Sequence, residues 1–183
     1  LDRFDNSWYK PGSIVKRFLW TIVSMIFFQS PIPWPCVFKC ALLKLFGTHL
    51  GAGKGIGRGI VIKPGVNIKY PWFVTIGNHS WIGEGVWLDS LGEIKIGANV
   101  CISQGAYIFT GNHDYKKEAF DLMVKPVVIE DGSWIGAKAV VCPGVTVATN
   151  SVLAAGSVAT KDLEAGKVYQ GNPAVEKRTR EVE

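Results

Sequence analysis

Three histidines and four cysteines are all that the 183 residues offer in imidazole or thiol chemistry. Cys36, Cys40, Cys101 and Cys142 are even in number but too sparse for a disulfide framework, which points to a reducing, cytoplasmic setting. Cys36 and Cys40 stand four apart, as on one helix face, and only His49 is near enough in sequence to join them. Buried free thiols therefore outweigh zinc, and no metal is expected. The chain has no run of basic residues interleaved with aromatics, which removes the usual basis for nucleic-acid binding. It also lacks an apolar stretch of the roughly 20 residues that a membrane span needs. The longest candidate, FLWTIVSMIFF at residues 18–28, is cut by Lys16 and Arg17 on one side and SPIPWP on the other. No signal peptide with a cleavage site is readable, and the chain does not begin with Met, so a start inside a longer sequence is expected. Disorder is excluded too, because 48% of residues are apolar and only 19% are charged. The net charge of +5 suits an anionic small molecule or an ordinary basic cytosolic protein equally.

Residues 18–28 read as a buried or surface-docked helix. CVFKCALLKLFG, with Pro35 before it and Gly47 at its end, reads as a second helix. Together they predict a helical cap over residues 1–49. Apolar residues all round the first helix also fit peripheral contact with the inner membrane face.

Beyond Gly47 the pattern changes. Ile56, Ile62, Ile68, then Ile76, Ile82, Leu88, then Ile96, Ile102, Ile108, and later Ile129, Ile135, Val141, Val147, Leu153 and Ala159 recur at steps of six. Small or β-branched residues stand two before most beats, and glycine often follows. A period of six matches neither a helix nor an unbroken strand. It matches short strands separated by turns, three to a coil, stacked into an all-β parallel β-helix of about five coils over residues 50–163. The small residues fit a narrow triangular interior. Residues 164–183 follow as a tail.

The beat slips after Ile68 and Leu88, where the step is eight, and after Ile108, where it is twenty-one. Each slip follows the third strand of its coil, so all three insertions leave one corner. The longest, an extruded loop over 109–128 that carries TGNHDY, lies above a ledge made by 70–74 and 90–93. Insertions in register suggest a built site, with His113 at its centre. Outward positions also sort by face. Gly55, Thr75, Lys95 and Thr146 form a polar column. Trp81, Cys101, Trp134 and Val152, and Trp87, Tyr107, Val140 and Val158, form apolar columns that predict burial against other copies, most simply in a homotrimer.

The hexapeptide register, TGNHDY, IEDGSWIGAKAVVCPGV and AAGSVATKD followed by GNPA resemble the left-handed β-helix acetyltransferases. Residues 8–173, including WYKPG and VCISQGAYIFTGNHDY, are most similar to the WcaF-type colanic acid and exopolysaccharide biosynthesis acetyltransferases. The resemblance implies a left-handed coil and O-acetyl transfer from acetyl-CoA to a carbohydrate hydroxyl. His113 falls where the family places its general base, a task that suits imidazole because it exchanges protons near neutral pH. Asp89, one coil below, falls near the acidic residue that holds acceptor hydroxyls. Asn112 and Asp114 flank the base, and either could orient it or touch the sugar. For the donor, the resemblance implies Trp134 near the site, Ala137 and Ala155 on the pantetheine arm, Thr160 and Lys161 near the adenosine, and Arg178 toward its phosphates. Some relatives have serine in place of Ala137, so here only a backbone N–H is left to stabilise an oxyanion.

Three other readings compete. GAGKGIGRG at 51–59 imitates a phosphate loop but lacks the Walker spacing and keeps the sixfold beat through Leu50 and Ile56. A zinc enzyme like the γ-class carbonic anhydrases needs three histidines from adjacent coils, whereas His79 falls at a different corner from His113. A non-catalytic hexapeptide scaffold would not need the histidine loop or the donor tail.

Overall fold

The structure, a computed structural model, describes residues 4–51, 55 and 57–181. Fifteen short strands wind into three parallel sheets, one to each face of a prism. The first sheet stacks His49–Leu50, Val74–Ile76, Ile94–Ile96, Val127–Ile129 and Thr146–Val147. The second runs from Val61–Ile62 through Trp81–Ile82, Cys101–Ile102 and Trp134–Ile135 to Val152–Leu153. The third stacks Asn67–Ile68, Trp87–Asp89, Tyr107–Phe109, Val140–Val141 and Val158–Ala159.

Register pairs each aliphatic beat with the beat one coil away, as in Ile82 with Ile102 and Leu88 with Ile108. These side chains are fully buried and form one continuous core. Removing an Ile of this kind from water is worth about 1.5–3 kcal/mol. The small residues two places earlier are buried as well, and the serines among them satisfy themselves on backbone. Ser80 Oγ donates to Gly97 O at 2.7 Å and accepts from Val100 N–H at 3.1 Å. Glycine after the beat has a steric cause: a Cβ on Gly77 would collide with the Gly97 carbonyl carbon, and one on Gly136 with the Ala155 nitrogen.

One detail of the first coil differs from the sequence reading. The strand that pairs with Thr75 and Ile76 is His49–Leu50, so His49, not Gly55, heads the polar column. Ile56 and residues 52–54 of the loop-like glycine run lie outside the described residues.

Helix α1 (Ile14–Phe27) begins at Ser13, whose side chain accepts from Lys16 N–H, and α2 (Cys36–Leu45) follows Pro35. Both close the first-coil end, where strand carbonyls have no further coil to pair with. Trp20 Nε1 donates to Ile68 O at 2.7 Å. Lys39, fully buried, donates through Nζ to Ile62 O at 3.2 Å and Lys63 O at 3.1 Å. At the other end Lys167–Gly171 pairs with Val152–Leu153, and Ala174–Thr179 folds back on it antiparallel. The predicted tail is thus a hairpin that extends the second sheet.

Candidate active site

All three insertions emerge between the third and first sheets, and buried hydroxyls tie them together. Tyr70 N–H donates to Ser90 Oγ, which returns a bond to Tyr70 O, both at 3.0 Å. One coil on, Gly92 N–H donates to Thr110 Oγ1 at 2.8 Å, and that hydroxyl donates to Asp89 O at 3.1 Å. The corner is therefore a laddered ledge, and the longest loop stands on it.

That loop opens as a hairpin, Gly111–His113 against Leu122–Val124. His113 is half-buried, and its ring lies parallel to Phe120 with centroids 4.5 Å apart. Nδ1 is 2.9 Å from the Phe120 carbonyl oxygen. A carbonyl can only accept, so it selects the tautomer with the proton on Nδ1 and leaves the Nε2 lone pair free to take a proton. Phe120 provides this with φ of 53°, a left-handed conformation rare for a bulky residue and typical of functional loops. Asn112 and Asp114 do not reach the ring nitrogens. Asn112 Oδ1 accepts from His113 N–H at 2.8 Å, and Asp114 Oδ1 from Lys116 N–H at 3.2 Å, so both shape the loop's backbone.

Asp89 ends the strand beneath. Its carboxylate pairs with Lys69 Nζ at 3.0 Å and accepts from Tyr107 Oη at 3.2 Å. The Tyr107 hydroxyl is pushed up to about 12, mainly by burial and then by the Asp89 charge and hydrogen bond. Lys69 and His113 line one cavity of about 540 Å³, together with Phe4, Tyr9, Arg17 and Tyr70. Sequence reading missed Arg17, Lys69 and the N-terminal segment as walls of this site. Tyr9 is fixed by donating to Leu91 O at 2.6 Å. Burial holds its hydroxyl well above the usual range, with Tyr70 and Asp89 adding to the rise and Arg17 opposing it.

A larger groove, about 1150 Å³, lies at the corner between the second and third sheets. Trp134, Ala137, Ala155 and Arg178 all line it, so four of the six donor-side residues expected from sequence come together. The Trp134 indole donates to Ser103 Oγ at 2.9 Å. Ala137 O is taken by Gly156 N–H at 2.8 Å, while the N–H groups of Ala137 and Ala155 carry no hydrogen bond among the described residues. The C-terminal hairpin supplies the far wall through Val168 and Arg178 to Glu181. The alternation in KVYQ and VEKRT around GNPA was its available signal. Thr160 and Lys161 are not brought into this groove; both are exposed on the last coil just after Val158–Ala159.

The groove and the His113 cavity share no lining residue. No group of three or more His, Cys, Asp or Glu among the described residues could hold a metal ion, and all four cysteines are free.

Residues 126–161 match the family described as bacterial transferase hexapeptide (six repeats). An Escherichia coli (strain K12) protein assigned as the colanic acid biosynthesis acetyltransferase WcaF is 39% identical over 176 residues, spanning 94% of this chain and 91% of that protein. The galactoside O-acetyltransferase of the same organism is 30% identical over 122 residues, 64% of this chain and 60% of that one. Among solved structures, a hexapeptide-repeat acetyltransferase from Vibrio cholerae superposes with a TM-score of 0.79 at 28% identity over 92% of both chains. Its complex with acetyl coenzyme A superposes at 0.77, with 27% identity over 92% of this chain and 88% of that one.

Proposed function

Because the chain belongs to the hexapeptide-repeat acetyltransferases of left-handed β-helix fold and is similar to the WcaF type, we propose that it moves acetyl from acetyl-CoA to a carbohydrate hydroxyl during surface-polysaccharide assembly. The observation that carries the reading is His113, locked by the Phe120 carbonyl in the tautomer a base requires. His113 Nε2 takes the proton of the acceptor hydroxyl as its oxygen attacks the thioester carbonyl. The resulting oxyanion collapses, the C–S bond breaks, and the CoA thiolate leaves with a proton returned from the imidazole. Transfer is direct, without an acyl-enzyme.

The groove fits the donor: it is long, has open N–H groups at Ala137 and Ala155, and carries Arg178 at its wall. With no side-chain hydroxyl at Ala137, its N–H is the proposed oxyanion donor. Thr160 and Lys161 are proposed to meet the adenosine end. Asp89 is proposed to serve the acceptor by holding Lys69 at the cavity or by exchanging that partner for sugar hydroxyls. Asn112 and Asp114 act through the loop they shape.

Two features support a homotrimer. Trp81, Trp87 and Trp134 remain exposed on the flanks, beyond the reach of the helical cap. The donor groove and His113 occupy different corners, so a second copy brings them face to face. His113→Ala is expected to lose about 10²–10⁴-fold in turnover while eluting at the wild-type size; turnover within a few fold of wild type overturns the base assignment.

We also place the enzyme at an anionic membrane surface. No helix among the described residues is long and apolar enough to cross a membrane. Yet Ile14, Val15, Phe18, Leu19, Ile22, Met25 and Ile26 form an exposed stripe along α1, with Phe18 63% accessible, joined by Val37 and Leu45 of α2. No Asp or Glu occurs from residue 6 to residue 83, a stretch that carries Lys10, Lys16 and Lys44. An apolar stripe in a stretch of sequence whose charges are all positive matches a bilayer bearing negative headgroups. Sedimentation with phosphatidylcholine vesicles containing phosphatidylglycerol is expected to carry the protein down, and Phe18→Glu to release it. Equal recovery with and without vesicles rejects the placement, and a mass that doubles through this face assigns it to a second copy.

A further inference from the structure

Resting on the His113 cavity as the acceptor site, we propose that the acceptor carries an anionic group and that Arg17 binds it. Helix α1 is apolar on more than one side. Trp20, Val23 and Phe27 pack on the core and a second apolar stripe faces outward, while Arg17, Thr21 and Ser24 line a second cavity with Asn67, Lys69 and Tyr70. Arg17, Lys69 and Tyr70 are common to this cavity and to the one that holds His113. The two therefore form one polar groove running from the imidazole along α1.

Arg17 is the cation in that groove without a counterpart. Its Nε is buried and has no hydrogen-bond partner, and no ion pair engages its guanidinium among the described residues. Lys69 differs, since Asp89 balances its charge at 3.0 Å. A buried guanidinium N–H left unpaired costs more than a neutral one, so the position makes sense once an acceptor oxygen arrives. Guanidinium presents a planar fork that fits phosphate or carboxylate with two parallel bonds. Amides at Asn6, Gln29 and Asn67 line the groove and suit the hydroxyls of a sugar. A neutral sugar would leave the cation beside the rings of Tyr9 and Tyr70 unanswered, whereas a pyranose with a negative substituent would satisfy both. The cavity at His113, about 540 Å³, has room for one such unit. The anion has two possible sources: a phosphate through which the sugar is linked, or the carboxylate of an acidic sugar.

Titration calorimetry on the full chain, with saturating CoA to occupy the Arg178 groove, separates these. Inorganic pyrophosphate and glucuronate are the two probes, and binding of one above the other names the source. Arg17→Gln is expected to weaken the better probe by about tenfold or more, and Arg17→Lys by less, because charge survives but the fork is lost. Lys95→Gln, which removes an exposed cation that lines neither cavity, is expected to bind the probe as wild type does. Equal binding by wild type and Arg17→Gln, or no binding of either probe to wild type, overturns the proposal. Since the readout is binding, it stands or falls separately from the base: a fully active His113→Ala chain with Arg17-dependent anion binding would sink only the base assignment.

Discussion

At the scale of single residues, the site depends on contacts that sequence names only in part. His113 was legible because the sixfold beat failed around it. Its partner was not, since any residue at position 120 could present a backbone carbonyl and only folding decides where it points. Asp89 was legible as an acid at the right corner, whereas its pairing with Lys69 twenty residues away depends on coil register. Asp89→Asn tests that cluster. It removes the charge that, with burial and the hydrogen bond, raises the Tyr107 hydroxyl from its usual value to about 12, so a partial fall is expected in a carbon-13 tyrosine titration, with burial and the amide oxygen retaining the rest. It also releases Lys69, and the KM for the acceptor is expected to rise by roughly tenfold, as for loss of a charge-assisted contact. An unmoved Tyr107 together with an unmoved KM removes Asp89 from the site. Cys40, whose thiol burial and neighbouring Cys36 push up to about 11, is expected to resist alkylation until the chain unfolds.

At the scale of elements, the sixfold repeat was readable because each coil applies the same volume constraint to the same position. Ile102→Ala opens a void between Ile82 and Ile135, and about 2–5 kcal/mol should be lost in denaturant unfolding. The first coil was harder to place, since the step from Leu50 to Ile62 is two periods long and the intervening isoleucine kept the rhythm. The facing of α1 was also hidden. A helix apolar on many sides does not announce which side faces the core, and Trp20 settles it through an indole bond to Ile68 O. Lys39 is the other surprise, a lysine buried to cap strand carbonyls. Burial, opposed in part by Cys36, lowers its pKa. Below that lowered value the folded and unfolded chains both carry the proton, and the penalty is fully expressed. As pH climbs toward the ordinary lysine value the unfolded chain holds more proton than the folded one, so stability rises. Urea unfolding is expected to show wild type gaining against Lys39→Met over that alkaline window, and parallel curves would contradict the burial of a charged form.

At the scale of the whole molecule, the question is why the proposed donor groove and the His113 cavity lie on separate corners. If neighbouring copies join them, then inactive variants should complement. Co-expressed His113→Ala and Ala155→Trp chains would assemble sites that take an intact histidine from one variant and an open groove from the other, about a quarter of all sites under random mixing. Recovered activity of that order supports a shared site, and none places donor and base within one chain. The flank tryptophans are what the expectation of assembly rests on, because apolar columns on a solenoid surface have few other uses. The N-terminal wall was not foreseeable, since residues 4–17 reach the cavity only after α1 has docked.

The C-terminal hairpin has a consequence beyond lining the groove. A prism of parallel strands ends in rows of unpaired N–H and C=O groups, the template on which amyloid-like stacks grow. At the first coil α2 and the Lys39 ammonium occupy that edge of the second sheet. At the last coil the hairpin reverses direction and presents Glu176, Lys177 and Arg178 on its outer strand, so that no further copy can continue the stack. A chain ending before Lys167 would expose Val152–Leu153 as a growing tip, and dye-binding fibres should then form where the full chain stays dispersed.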